Sequence, residues 1–259
     1  SIEIEEDIRE ALQAVGSALP SFAQRERLMA ASERVGISYY LMGFPAASTR
    51  EADTCVQLAA AAEAGSFSLK LVAMCRANED DVTTAARVAH ESGRMIFSDI
   101  FCGVSPARMA VEGWSIADVS AQFRGAISRA LDCGLGVRIS LEDASRAQPS
   151  DIELVIDMLS KYPIDTVTIC DTAGALLPEE AHDLTRWLAV RINNQTTKIG
   201  WHGHNDKGLA LANALASARG GANVLSGSFL GIGERAGNVA LEQILYLLWE
   251  AGSRRHDLR

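Results

Sequence analysis

The fold is indicated most clearly by residues 198–238, KIGWHGHNDKGLALANALASARGGANVLSGSFLGIGERAGN. This stretch opens with an apolar, β-compatible run that carries His202 and His204 two residues apart. Side chains alternate along a strand, so both imidazoles leave the strand end on one side, as metal ligands would. Exposed loop histidines are the alternative. A helix over Gly208 to Arg219 and a strand over Ala222 to Ser228 follow, which indicates a unit of parallel sheet.

The composition is that of a globular enzyme. The 259 residues are 48% hydrophobic and 22% charged, and α/β barrels reach this length as one domain. A net charge of −9 argues against nucleic-acid binding, because no basic stripe could follow a phosphate backbone. No apolar run reaches membrane-spanning length, and the chain opens on an acidic segment, not a signal peptide. The five scattered cysteines predict buried, reduced thiols in a cytoplasmic protein.

Short β-rich runs alternate with longer helical segments from residue 36 onward. The predicted strands are 36–43, 68–75, 94–101, 134–141, 164–170, 197–203 and 222–228. Such alternation implies right-handed βαβ units and, with one more strand near the start, an α/β TIM barrel. A doubly wound open sheet is the alternative, but no G-x-G-x-x-G follows an early strand. We therefore predict one TIM-barrel catalytic domain over residues 1–259, with its active site at the C-terminal ends of the strands.

The chain resembles a superfamily of metal-dependent TIM barrels. HGHNDKGLALAN, beginning at His202, and GIGERAGN, ending at Asn238, are similar to the signature of 2-isopropylmalate synthase, homocitrate synthase and hydroxymethylglutaryl-CoA lyase. The likeness is greater to the condensing synthases than to the lyase. It implies that His202, His204 and Asn238 bind a divalent cation, and Zn, Mg and Mn are all compatible with such donors.

The first segment departs from the superfamily's T-L-R-D-G-x-Q motif. The best register is DIREALQ, residues 7–13, which places Arg9 on the substrate-binding arginine and Glu10 on the metal-binding aspartate. A glutamate can ligate the same hard cation. The sequence also allows an amphipathic helix over residues 1–15, because its apolar residues have helical spacing. The first strand is thus expected to be divergent or degenerate, and a helix would carry Arg9 and Glu10 away from the metal.

The next three strand ends carry further candidates and one departure. GISYYLMGFPAAS, residues 36–48, has Leu41 where the superfamily has a functional glutamate, so one member of its Asp-Arg-Glu trio is missing. Arg76 ends the third strand and could bind a substrate carboxylate, or be an ordinary surface arginine. Arg108 follows the fourth strand, where the synthases have a histidine. It could bind an anion but could not shuttle a proton near neutrality.

The fifth and sixth strands resemble the superfamily closely. GVRISLEDASRA, residues 136–147, is similar to its F-S-x-E-D-A-S-R, which implies that Glu142 assists substrate binding or proton transfer. Arg138 in the same strand is a further substrate-binding candidate. TVTICDTAGALLP matches the D-T-x-G motif and implies that Thr172 binds the carboxylate of an α-keto acid.

The resemblance implies a Claisen-type condensation of an acyl-CoA with an α-keto acid, giving a 2-hydroxy-dicarboxylate, in a homodimer. Two observations keep other functions open. The chain stops about twenty residues after Asn238, without the C-terminal subdomain from which synthases contribute a catalytic histidine, and His256 in the charged tail is a poor substitute. The first motif and Leu41 are also altered. The alternatives are a metal-dependent aldolase or lyase, and a catalytically impaired barrel that acts as a binding or assembly subunit.

Overall fold

Eight parallel strands close into a barrel in the computed structural model, which describes residues 2–14, 19–192 and 196–252. Each strand pairs with the next, and the eighth pairs with the first. The strands are β1 (Glu3–Asp7), β2 (Tyr39–Gly43), β3 (Lys70–Arg76), β4 (Phe97–Gly103), β5 (Gly136–Glu142), β6 (Thr166–Asp171), β7 (Lys198–Gly203) and β8 (Val224–Gly227). The predicted single TIM-barrel domain is confirmed. His256 lies outside the described residues.

The helices surround the barrel in the order that the alternation predicts. They are α1 (Ile8–Leu12), α2 (Phe22–Arg34), α3 (Thr49–Ala64), α4 (Glu79–Ser92), α5 (Pro106–Glu112), α6 (Ile116–Asp132), α7 (Pro149–Leu159), α8 (Pro178–Arg191), α9 (Ala210–Gly220) and α10 (Leu241–Glu250). Polar caps fix several starts. The hydroxyl of Ser115 accepts from the backbone N–H of Asp118 and starts α6, whose apolar face packs on the barrel.

Residues 3–7 form a regular strand, so the divergent first strand is confirmed and the alternative of a helix over residues 1–15 is wrong. β1 pairs with β2 on one side and with β8 on the other, so it closes the barrel. Its residues alternate: Ile4 packs in the outer core, whereas Glu5 and Asp7 face the interior cavity. The helix begins only at Ile8, where the carboxylate of Asp7 accepts from the backbone N–H of Glu10 at 3.3 Å. The apolar residues of the strand and of the helical turn after it thus have the same spacing as those of one continuous helix.

The barrel interior is divided into an apolar side and a polar side. The apolar side is a cluster on β2, β3, β4 and β8, formed by Tyr39, Leu41, Val72, Met74, Phe97 and Val224. The buried polar side chains of the interior belong mainly to β1, β5, β6 and β8; they include Glu5, Asp7, Arg138, Ser140, Thr168 and Ser226. A polar interior beside an apolar wall prepares the barrel for a small polar ligand.

The structure also bears on membrane-spanning helices and on the state of the cysteines. In the described part of the chain, no helix combines the length and the apolar character needed to cross a membrane. The five cysteines all fall in that part and are free thiols, four of them buried, as the sequence predicts.

Candidate metal centre and substrate cavity

Glu10, His202 and His204 meet at the C-terminal mouth of the barrel. Each offers one ligand atom, and these atoms lie within 4.8 Å of one another. The Nε2 atoms of His202 and His204 lie 3.5 Å and 3.9 Å from Glu10 Oε1. β7 ends with the two imidazoles on one side, and α1 brings Glu10 to them directly after β1. The structure therefore brings together two ligands from the signature and the glutamate of the altered first motif.

The donor atoms of this cluster are buried and leave acceptor capacity unused. Within the described residues, Glu10 Oε2, His204 Nδ1 and Asn238 Oδ1 have no hydrogen-bond partner. A buried polar atom without a partner costs free energy that a bound cation would offset. Carboxylate oxygen, imidazole nitrogen and amide oxygen are donors that Zn²⁺ and Mn²⁺ accept, and Mg²⁺ prefers the oxygens. The residues present fit a divalent cation.

Asn238, the last residue of the signature, lies beside the cluster. Its backbone forms an isolated antiparallel bridge with His204, and its side chain is buried. Gly233 makes room for the carboxamide, because a Cβ atom built there would lie 3.0 Å from Asn238 Oδ1. The loop between Gly231 and Asn238 thus folds back onto the end of β7 and brings Asn238 beside His204.

The surroundings of the cluster shift the pKa values of His202 and His204 in opposite directions. Burial would raise the pKa of Glu10, but the hydrogen bond with His202 and the charge of Arg9 hold it well below its usual range. Burial, helped by the charge of His202, lowers the pKa of His204 to about 4. Burial also opposes the charged form of His202, but Glu10 and Asp7 raise its pKa. His204 is therefore neutral near pH 7, the form that binds a metal.

Arg9 places a positive charge beside this cluster. Its guanidinium lies 2.9 Å from Asp7 Oδ2 and 2.5 Å from Glu10 Oε1, and it donates to Gln13 Oε1 at 2.8 Å. The apolar Leu41 faces the same cavity, so Asp7 and Glu10 supply the negative partners that a glutamate there would give. Arg9 is thus held near the metal ligands despite the departure at Leu41.

A cavity of about 220 Å³ opens at the same mouth. One wall is apolar, with the rings of Phe44 and Phe101 in edge contact at 6.3 Å between centroids. Glu142 and Thr172 also line the cavity. The Thr172 hydroxyl accepts from the backbone N–H of Asp143 at 2.9 Å, which leaves its proton available to a ligand. Burial raises the pKa of Glu142, although the charge of Arg108 opposes the shift.

The structure does not bring Arg76, Arg108 and Arg138 to this cavity: none of them is among its described lining residues. Arg76 is half exposed and binds both carboxylate oxygens of Asp81. Arg108 pairs with Glu112 at 3.0 Å, and its Nε lies 3.9 Å from Glu142. Arg138 is buried in an ion pair with Glu5. Each guanidinium has a carboxylate partner in the structure, and the roles of these arginines as direct substrate ligands stay predictions from the sequence.

Sequence reasoning missed three acidic residues that line the cavity. Burial raises the pKa of Asp7 to about 6, although Arg9 opposes the shift. Glu5 and Asp99 lie deeper. The signal for Asp99 was an acid inside the apolar run MIFSDIFC, and the signal for Glu5 and Asp7 was their alternate spacing in EIEED. If the first segment is interpreted as a helix, the alternate spacing of Glu5 and Asp7 does not indicate that they share one face.

Comparison with known proteins agrees with this geometry. The sequence profile of the HMGL-like family matches residues 2–258. The chain belongs to the HMGL-like family. This confirms the superfamily resemblance, and it makes the cluster of Glu10, His202 and His204 a possible site for the divalent metal on which the family depends.

Two HMGL-like relatives are synthases. The 2-isopropylmalate synthase of Methylacidiphilum infernorum (isolate V4) is 30% identical over 258 residues, which cover 93% of this chain and 47% of that protein. Homocitrate synthase AksA of Methanosarcina mazei is 31% identical over 241 residues, 91% of this chain and 56% of that protein. The chain thus spans about half the length of the synthases that it matches.

Among solved structures, the fold is similar to that of a lyase. The crystal structure of hydroxymethylglutaryl-CoA lyase from Pseudomonas aeruginosa gives a TM-score of 0.81 at 22% identity, over 99% of this chain and 88% of that one. At this identity the likeness shows the common barrel, and it does not distinguish a synthase from a lyase.

Proposed function

We propose that this HMGL-like protein is a divalent-metal-dependent acyltransferase. It joins the methyl carbon of an acyl-CoA to the carbonyl carbon of an α-keto acid, and hydrolysis of the thioester by water then releases CoA and gives a 2-hydroxy-dicarboxylate, as the names of its synthase relatives suggest. The observation that carries the proposal is the convergence of Glu10, His202 and His204 beside a cavity at the mouth of the barrel. The identity to the synthases over more than nine-tenths of this chain supports it.

Zn²⁺, Mg²⁺ or Mn²⁺ would be held by Glu10, His202, His204 and Asn238. Such a cation polarises the carbonyl group of the keto acid when bound. The Thr172 hydroxyl donates to the carboxylate of the keto acid, and Arg9 stabilises the negative charge that develops on the carbonyl oxygen. Glu142 accepts a proton from the acyl methyl group, because burial has raised its pKa towards neutrality.

Aldol-type cleavage of a hydroxy acid is the second candidate. The same donors could serve the reverse carbon–carbon bond cleavage. A barrel that only binds or assembles is less well supported, since the buried donor atoms of Glu10, His204 and Asn238 are retained as a set.

The localisation and the oligomeric state remain predictions. A homodimer in the cytoplasm, without nucleic-acid or membrane partners, stays a prediction from the sequence. Size-exclusion chromatography with light scattering would measure the oligomeric state directly.

The first test is metal binding by isothermal titration of the purified chain with Zn²⁺, Mn²⁺ and Mg²⁺. We expect at least one ion to bind with a micromolar or lower Kd, and His204→Ala to weaken binding at least tenfold. His182→Ala is the matched control, because His182 lies on the exposed face of α8 and its ring bonds to the neighbouring Asp183. Absence of specific binding by the wild type would overturn both the synthase and the lyase proposals.

The second test separates these two reactions. The metal-loaded protein is supplied with acetyl-CoA and a panel of α-keto acids, and free thiol is measured. Thiol release that depends on the keto acid supports the synthase. Cleavage of a 2-hydroxy acid without thiol release supports the lyase.

A further inference from the structure

The bottom of the cavity is formed by Glu5, Asp99, Ser140 and Thr168, which we call the cavity floor. Each lies two residues closer to the N-terminal end of its strand than another lining residue: Asp7, Phe101, Glu142 and Cys170. Inward-facing residues of a barrel strand lie in successive layers, so these four form the layer below the mouth. All four are buried.

The cavity floor presents hydrogen-bond acceptors without enough donors. Asp99 Oδ1 accepts from the Ser140 hydroxyl at 2.8 Å. The Thr168 hydroxyl is 3% exposed and has no hydrogen-bond partner among the described residues. Burial also raises the pKa of Asp99, as expected for a carboxylate whose charge is incompletely compensated. A ligand that donates a hydrogen bond would satisfy these atoms.

Arg138 does not supply the hydrogen-bond donors that the cavity floor lacks. Arg138 lies one layer from the cavity in β5 and is absent from its described lining residues. Its guanidinium forms a buried ion pair with Glu5 and lies 4.5 Å from the centre of the Tyr39 ring. The Glu5 carboxylate therefore compensates this charge, and a second carboxylate on a ligand would compete with it and face Asp99.

We propose that this cavity binds an α-keto acid whose far end carries a hydrogen-bond donor, a hydroxyl or an ammonium group. The inference rests on the proposed function, which places the keto-acid head at the mouth of the barrel. An alkyl end would leave the Thr168 hydroxyl without a partner and would place an apolar group against the Asp99 carboxylate, whose Oδ1 accepts from Ser140. A carboxylate end would add a negative charge next to Asp99. A site built for a polar group discriminates strongly against analogues that lack it.

Stable 2-hydroxy acids with the same head and different ends can test this. The Mn²⁺-loaded protein is titrated calorimetrically with 2-hydroxypentanoate (methyl end), 2,4-dihydroxybutanoate (hydroxyl end), 4-amino-2-hydroxybutanoate (ammonium end) and 2-hydroxypentanedioate (carboxylate end). We expect at least one donor-ended acid to bind about tenfold more tightly than the methyl-ended acid. The better of the two identifies the donor. The carboxylate-ended acid should bind most weakly.

Two variants assign the preference to the cavity floor. Thr168→Val keeps the shape and removes the unpartnered hydroxyl, so it should reduce the donor preference several-fold, with weaker binding of the donor-ended acids and binding of 2-hydroxypentanoate no weaker than in the wild type. Thr166→Val makes the same change on β6 outside the cavity, where the hydroxyl donates to Asp165, and should keep the preference. Glu5→Gln frees Arg138 and should raise the affinity for 2-hydroxypentanedioate.

The outcomes distinguish the two proposals. If the methyl-ended or carboxylate-ended acid binds the wild type as tightly as the donor-ended acids, the inference about the floor is wrong and the metal-dependent function stands. If Thr168→Val and Thr166→Val alter the preference equally, the floor does not determine it. If the metal-loaded protein binds none of the four acids, the proposed function fails and the inference fails with it.

Discussion

Glu6 is a buried acid on β1 that does not line the cavity, in contrast to its neighbours Glu5 and Asp7. Its carboxylate accepts backbone hydrogen bonds from Ile8 and Phe229, but its Oε2 has no partner in the part of the chain that the structure describes. Burial raises the pKa of Glu6 well above its usual range. The folded protein therefore favours the protonated carboxyl, which lets the pH dependence of stability report on this residue.

We expect Glu6→Gln to stabilise the protein at pH 8. In the wild type, the contribution of Glu6 is fully present below the unfolded-state pKa and is lost as pH rises through the folded-state pKa. The neutral glutamine removes this loss, so the free energy of unfolding should increase by about 1 kcal/mol or more at pH 8 and change little at pH 4. Urea denaturation at both pH values measures it.

The control is Glu179→Gln, because Glu179 lies exposed in the first turn of α8. It should change stability by less than about 0.5 kcal/mol at either pH. Equal effects of both substitutions at pH 8 would show that the Glu6 carboxyl is ionised at little cost in the folded protein.

At the level of structural elements, Arg235 connects the loop from Gly231 to Asn238 to neighbouring turns. Arg235 has a positive φ of 53° and binds both oxygens of Asp206, at 2.8 Å and 2.9 Å. Its Nη2 also donates to the backbone carbonyl of Thr172 at 2.7 Å. Arg235 therefore joins the loop that carries Asn238 to the turns after β6 and β7. We infer that Arg235 is a positioning residue for the candidate metal centre.

Arg235→Ala should weaken metal binding about tenfold, because outer residues that orient ligands typically have effects of this size. The free energy of unfolding should fall by less than about 1 kcal/mol, since the ion pair is partly exposed. Calorimetric titration with Mn²⁺ and urea denaturation measure the two effects.

Arg87→Ala is the matched control, because it removes another partly exposed arginine–aspartate pair, with Asp53, far from the loop. Arg87→Ala should leave the metal affinity unchanged. Unchanged metal affinity in Arg235→Ala would mean that the backbone bridge between His204 and Asn238 holds the loop without the arginine.

The first motif also shows why element boundaries could not all be read from the sequence. Apolar residues at 4, 8 and 12 fit a helix, but Ile4 belongs to β1 and Ile8 to α1. A strand of five residues offers only two complete alternations, too few to compete with an apparent helical pattern. For the longer and strongly periodic segment Ile116–Asp132 the sequence predicts a helix, and α6 has these limits.

For the whole barrel, Arg138 and Glu5 form a buried connection between strands that are not neighbours. Arg138 is on β5 and Glu5 is on β1, and both side chains are almost fully buried. Arg138 is also flanked by Asp99 on the adjacent β4. Removal of one member of such a pair leaves an uncompensated charge in the interior.

We expect Arg138→Met to lower the free energy of unfolding by about 3 kcal/mol, because Glu5 would remain buried without its partner. The double variant Glu5→Gln/Arg138→Met should recover part of this loss. Arg191→Met, which removes a partly exposed pair with Glu153, is the control and should cost less than about 1 kcal/mol. Urea denaturation compares all three. Wild-type stability in Arg138→Met would contradict a structural role for this pair.

The sequence by itself determined the barrel and most of the candidate metal centre. Strand–helix alternation allows few topologies, and in a parallel barrel the C-terminal strand ends meet at one mouth. His202 and His204 therefore had to lie together, on the strand that local alternation predicts. Only the tertiary structure decided the partners of the arginines and the acidic cavity floor. Glu5 and Arg138 are 133 positions apart, and no local pattern specifies which buried charges face each other across a closed barrel.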